Sequence, residues 1–164
     1  MDLAEIDEEG KGLLFFGETK VEQISAVKGQ NNVFLLKTSV VLERENQLVP
    51  KAGQFFLIRS KKTNTNYNRP ISVYHSEVTR NENGHRKVSV QFMILEKGRG
   101  TKELCHMYEG EDLSLIGPLG NPWDICEAEE IIKKNKTSFT KIAIIGGGIG
   151  VAPVANLASC LPAK

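Results

Sequence analysis

The stretch NRPISVY (68–74) sets a guanidinium, Arg69, three residues before a small hydroxyl, Ser72. A planar guanidinium can grip a phosphate through parallel hydrogen bonds. A serine is small enough to let a flat ring approach and can still donate or accept. On one strand the two would lie close together. Read alone, the stretch is equally a strand with an exposed arginine and a buried Pro70-Ile71 pair. A second stretch, KGRGTKEL (97–104), places Gly98 and Gly100 ahead of Thr101. Bare glycine backbone admits a ligand closely. A helix opening there, with Thr101 as N-cap, would aim unpaired N–H groups at an anion. The same residues also describe a plain glycine turn with a capped helix behind it.

A third stretch, IIGGGIGVAP (144–153), carries Gly146, Gly147, Gly148 and Gly150. The strict dinucleotide fingerprint would need Gly or Ala at position 151, where Val151 stands. An apolar run, a glycine turn and a helix start nevertheless follow one another, and a tight turn without ligand is the alternative. In LIGPLGNPWD (115–124), Gly117, Pro118 and Gly120 make a rigid turn at a strand end. Trp123, the single tryptophan, suits core or interdomain packing, or stacking on a cofactor ring.

Metal and thiol chemistry find little support. Cys105, Cys126 and Cys160 form no C-x-x-C pair and no iron–sulfur spacing, and an odd count in a reducing compartment favours free thiols. His75, His85 and His106 are scattered, and no metal site is expected. Net charge is +1 from 21 basic and 20 acidic residues, with no long block of one sign, which gives no nucleic-acid footprint. No apolar run approaches the roughly 20 residues of a membrane span. The acidic opening MDLAEIDEEGKG lacks the basic and apolar regions of a secretory signal. The expected location is the cytoplasm.

The elements that must position these groups follow from patterning. Residues 1–19 show little periodicity and are expected to form an extension. KVEQISAVKG (20–29), NVFLLKTSVV (32–41), the apolar end of QLVPKAGQFFLIRS (47–60), RPISVYH (69–75) and KVSVQFMIL (87–95) read as strands. Asn83-Gly84 predicts a two-residue hairpin turn between the last two. A short helix is expected within 98–108, then a turn and a strand ended by Pro118. WDICEAEEIIKKNK (123–136) reads as a short helix or an insert. KIAIIGGG (141–148) reads as strand and turn. In GVAPVANLASCL (150–161), Pro153 fits only the first turn of a helix. The fold class is therefore mainly β: a six-stranded antiparallel Greek-key barrel over 20–122, a linker over 123–140, and the first strand–turn–helix of a Rossmann-like α/β domain over 141–164.

In this order and spacing, AGQF (52–55), RPIS (69–72), GRGT (98–101), GPLGN (117–121) and GGGIGVAP (146–153) resemble the ferredoxin reductase superfamily. Within it, they are most similar to the electron-transfer subunit of the NAD-dependent dihydroorotate dehydrogenases. Each motif is weak alone; five in register over about residues 20–164 are specific. The resemblance implies that the barrel binds FAD. Arg69 would hold the diphosphate, with Pro70 and Ile71 beside it and Ser72 near the reactive flavin N5 in a catalytic position. Gly98, Gly100 and Thr101 would offer N–H groups and a hydroxyl to the diphosphate, and Gln54 precedes the supporting strand. Gly146, Gly147, Gly148 and Gly150 would face NAD(P)H. Hydride would pass to FAD, and electrons would go on to a flavin-containing catalytic subunit or another acceptor, with a homodimer as a further association.

Ala52 replaces the family's proline, Ile71 stands where many reductases stack a tyrosine, Pro122-Trp123 replaces Gly-Phe, and the stretch from Gly120 to Lys141 is longer. The family continues for roughly another 100 residues and ends in a cysteine-rich [2Fe-2S] segment. The ligands of that cluster are absent here. The expectation is a fragment, inactive alone, with most of its flavin site and little of its NAD site. A ferredoxin- or sulfide-linked NAD(P) reductase subunit and a non-catalytic barrel module are the alternatives.

Overall fold

The computed structural model describes residues 12–62, 67–123 and 143–161. Six strands, β1 (Phe15–Ala26), β2 (Val33–Leu42), β3 (Phe55–Ser60), β4 (Arg69–Arg80), β5 (Arg86–Leu95) and β6 (Asp112–Leu119), close into an antiparallel barrel in the order β1-β2-β5-β4-β3-β6. Helix α1 (Arg99–Cys105) follows β5, and a 3₁₀ turn (Gly148–Gly150) leads into helix α2 (Val151–Cys160).

Alternation builds the barrel. In β5, Val88, Val90, Phe92 and Ile94 point inward, and Leu113 and Leu115 do so in β6. Phe56 and Phe92 meet edge to face, 5.8 Å between centroids, at the centre. Leu104, Cys105 and Met107 join the same core, so α1 closes one end of the barrel. Burial pushes the Cys105 thiol up to about 12, with the Glu96 carboxylate adding to the shift.

Four expectations change. β1 begins at Phe15, inside the stretch expected to be an extension, and its first residues pair with Gly117 and Ile116 of β6. The β4–β5 hairpin turns over three residues, 82–84, rather than two. Gly84 N–H reaches Asn81 C=O at 2.9 Å, Gly84 takes φ +80°, and the Asn81 side chain accepts from Asn83 and His85 N–H. Thr101 is the third helical residue of α1, not its cap; extended Gly98 takes the cap position. Residues 143–147 form no ladder, and Ile145 is 89% exposed. A parallel strand draws its hydrogen bonds from neighbouring strands, and none lies beside this stretch among the described residues. The expected linker lies outside the described residues except for Trp123.

α2 lies against β4 and brings the glycine turn to the barrel. Its buried residues, Ala152 and Asn156, stand four apart on one helical face.

Candidate cofactor site

β4 runs between β3 and β5, and the ladder fixes which way its side chains point. Arg69 pairs with Ile58 and Ile71 with Phe56, whereas Ser72 pairs with Phe55. Ladder partners share a face. Arg69 and Ile71 therefore lie on the inner side with the buried Ile58 and Phe56, and Ser72 on the outer side. The three-residue spacing thus puts guanidinium and hydroxyl on opposite faces of the strand, as a period of two requires, and they reach the site by different routes.

Arg69 extends to α1. A Cβ added at Gly100 would lie 2.7 Å from Nη2 and 2.8 Å from Cζ, so only glycine leaves the guanidinium its place. Gly100 is buried under it. Among the described residues no carboxylate pairs with the Arg69 guanidinium and no hydrogen bond engages it. A half-buried cation without a counter-charge, set on the opening turn of a helix whose first N–H groups are free, makes a local field that suits an anion.

Thr101 shapes this corner. Its hydroxyl accepts from Lys97 N–H (3.0 Å) and Gly98 N–H (3.1 Å) and donates to Gly98 C=O (3.0 Å). The hydroxyl holds the glycine loop closed. Nothing stands within 4 Å of a Cβ at Gly98, whose backbone is open.

Beside this corner a cleft of about 290 Å³ opens between β4, the end of β5 and the glycine turn. Pro70, Ile71 and Ser72 form one wall, Thr101 the end next to α1, and Gly150 part of the opposite wall. Among the described residues the Ser72 hydroxyl has no hydrogen-bond partner. Arg69 and Gly100 meet each other just outside the cleft lining. The four turn glycines separate into two kinds. Gly147, Gly148 and Gly150 present open backbone, with φ +53° at Gly148. Gly146 is packed: a Cβ there would come within 2.8 Å of Val154 Cγ2 and 2.9 Å of Val151 Cα.

Sequence reasoning missed several wall residues, namely Met93, Leu95, Lys97, Ile149 and Pro153. Lys97 and Ile149 adjoin glycines already singled out. Met93 and Leu95 become wall residues only because β5 lies next to β4, which no local pattern announces. Gln54 is structural: its Nε2 donates to Gly120 C=O at 2.8 Å and its Oε1 accepts from Lys51 N–H at 2.9 Å. Trp123 stays out of the cleft. Its ring covers Gly53, whose φ is +91°, and its backbone N–H donates to Ala52 C=O at 3.0 Å.

The closed six-stranded antiparallel barrel thus carries a glycine turn and a helix docked on its fourth strand. The fold matches a solved ferredoxin reductase in carbazole 1,9a-dioxygenase (FAD apo form), with a TM-score of 0.53 and 21% identity over 89% of this chain and 40% of that one. By sequence the chain is a relative of the electron transfer subunit of dihydroorotate dehydrogenase B (NAD(+)). It is 37% identical to the Clostridium perfringens subunit over 134 residues, which are 82% of this chain and 46% of the relative. The Clostridium acetobutylicum subunit is 29% identical over 140 residues, 85% of this chain and 49% of the relative. The chain spans about half the length of the curated relatives it matches. No family model matches it.

Proposed function

We propose that this chain is the flavin-holding part of an electron-transfer component: it binds FAD, receives hydride from NAD(P)H and passes electrons to a partner. The observation that carries this reading is the unpaired, half-buried Arg69 guanidinium lying on Gly100 beside a cleft walled by Pro70, Ile71 and Ser72. These residues fit FAD. The cation and the open helix start suit a diphosphate, and an apolar cleft with one free hydroxyl suits a flat ring that needs a single polar contact.

The geometry supports a division of labour. Arg69 would hold the diphosphate as a fork, in register with the N–H groups of Arg99 and Gly100. Thr101 would keep that loop rigid. Ile71 and Met93 would shield the ring from water, and Ser72 would orient its reactive edge through a hydrogen bond. Bound FAD supplies a two-electron acceptor that can release electrons one at a time. Gly147, Gly148 and Gly150 would let a nicotinamide dinucleotide approach the same cleft from the α2 side. Its relatives' names support a dihydroorotate dehydrogenase catalytic subunit as the partner, and a cytoplasmic location goes with that reading. Among the described residues no helix is long and apolar enough to cross a membrane.

Titration of the purified chain with FAD, followed by quenching of flavin fluorescence, tests the site. Arg69→Ala should weaken FAD binding by roughly tenfold or more, the value of a charge-assisted contact. Gly100→Ala should do nearly the same, because its methyl displaces the guanidinium, while Gly98→Ala should bind almost normally. FAD binding that ignores both Arg69→Ala and Gly100→Ala would overturn the assignment.

A further inference from the structure

Asn156 is 4% exposed, on an otherwise apolar face of α2. Its Nδ2 donates to the carbonyl of Val73 at 3.4 Å. Val73 is the residue after Ser72, is fully buried, and sits where the β4–β5 register shifts, between Val73 and His75. Its N–H is also taken, by Gln54 C=O at 3.0 Å. Gln54 in turn donates its side-chain amide to Gly120 C=O. A row of hydrogen bonds therefore crosses the fold from the 117–120 turn through the head of β3 and the middle of β4 to α2.

A buried amide on a packing face is costly unless bonded, and a Leu of similar size would pack there without that cost. What the amide adds is register. An apolar contact lets a helix slide along a strand, whereas one directed bond to one carbonyl fixes its height. Ala152, one turn earlier on the same face, and Ile149, Gly150 and Pro153 beyond it make the α2 wall of the cleft. Moving α2 along β4 therefore moves that wall relative to Ser72.

We propose that Asn156 is a positioning residue that sets the spacing between the glycine turn and the Ser72 strand, and so the width of the cofactor cleft. This rests on the reading of the cleft as a flavin site, although the spacing itself does not need flavin to be measured. Two variants of the 164-residue chain separate the amide from simple packing. Asn156→Leu keeps the volume and loses the bond; Asn156→Ala loses both.

Amide hydrogen exchange without ligand is the first readout. In both variants the amides of 148–153 should exchange about tenfold faster, the equivalent of one buried hydrogen bond, while those of β2 and β5 keep their protection. Iodide quenching of bound FAD fluorescence is the second. Both variants should bind FAD within about twofold of wild type yet show severalfold easier quenching, because a loosened wall admits the ion. Wild-type protection of 148–153 in Asn156→Leu, with loss only in Asn156→Ala, assigns the residue to packing and overturns the proposal. If Asn156→Leu does not fold, unchanged exchange of 148–153 in Asn156→Ala does the same. If wild type binds no FAD, the functional reading fails, and the exchange result still decides the role of Asn156.

Discussion

The contact between Arg69 and Gly100 shows how a site can depend on an atom that is missing. The guanidinium occupies the space a Cβ would take, so any larger residue at position 100 would displace it. This pairing was not legible in the sequence. Arg69 and Gly100 were each singled out for a phosphate, but nothing local says that one touches the other. Cys105 is a second case where burial sets chemistry. Its thiol is raised to about 12, first by desolvation and then by Glu96. In the unfolded chain the same thiol ionises at its ordinary value near 9. Below that pH both states are protonated and the stabilising difference is intact. As pH rises from about 9 to about 12 the unfolded state alone loses the proton, and stability should fall by about 1.4 kcal/mol per pH unit. Urea unfolding of Cys105→Ala across this range should show a slope shallower by that amount. An equal slope in both proteins would mean the thiol does not couple to folding.

At the level of elements, the turn 146–150 combines a packing glycine with open ones. Gly146→Ala drives a methyl into Val154 and Val151 and should destabilise the docking of α2 by about 1–3 kcal/mol. Gly147→Ala meets nothing within 4 Å and has an ordinary φ of −101°, so a change within about 0.5 kcal/mol is expected. Amide exchange in 151–160 would compare the two directly; similar protection in both would refute the distinction. The elements themselves were largely readable. The β-branched richness of NVFLLKTSVV and the alternation in KVSVQFMIL located β2 and β5 almost to the residue, because each strand has one face in the core. β1 was cut short because its first turn of sequence, Phe15-Phe16-Gly17, breaks alternation, and Phe16 remains 73% exposed. The α1 cap was misplaced because Thr101 acts backwards, from the third position onto Gly98. A propensity for N-caps does not distinguish that capping-box hydroxyl from a cap proper.

For the whole molecule, one core serves both the barrel and the site. Phe92 faces Val73 across the β4–β5 ladder and meets Phe56 at the barrel centre. Phe92→Ala should cost about 3–5 kcal/mol, with a single transition seen by circular dichroism and by flavin release together. Flavin release well before loss of the barrel would show the two to be separate units. Barrel topology could be anticipated from the strand count and turn spacing, and the helix after the glycine turn from its change of period. What patterning could not supply was the seating of α2 on β4. That depends on Ala152 and Asn156 meeting one strand far away in sequence, and a small residue and an amide carry no helical periodicity of their own.

Closure of the sheet has one more consequence. Every barrel strand has a hydrogen-bonded neighbour on each side. β1 and β4 reach theirs in turn, β1 pairing with β6 and then β2, β4 with β3 and then β5. Among the described residues no strand therefore offers a wholly unpaired edge for another protein to extend. Under the electron-transfer reading proposed above, a partner would meet mostly side-chain shape and charge around the rim, and its specificity could then diverge by surface substitution while the fold underneath stays fixed.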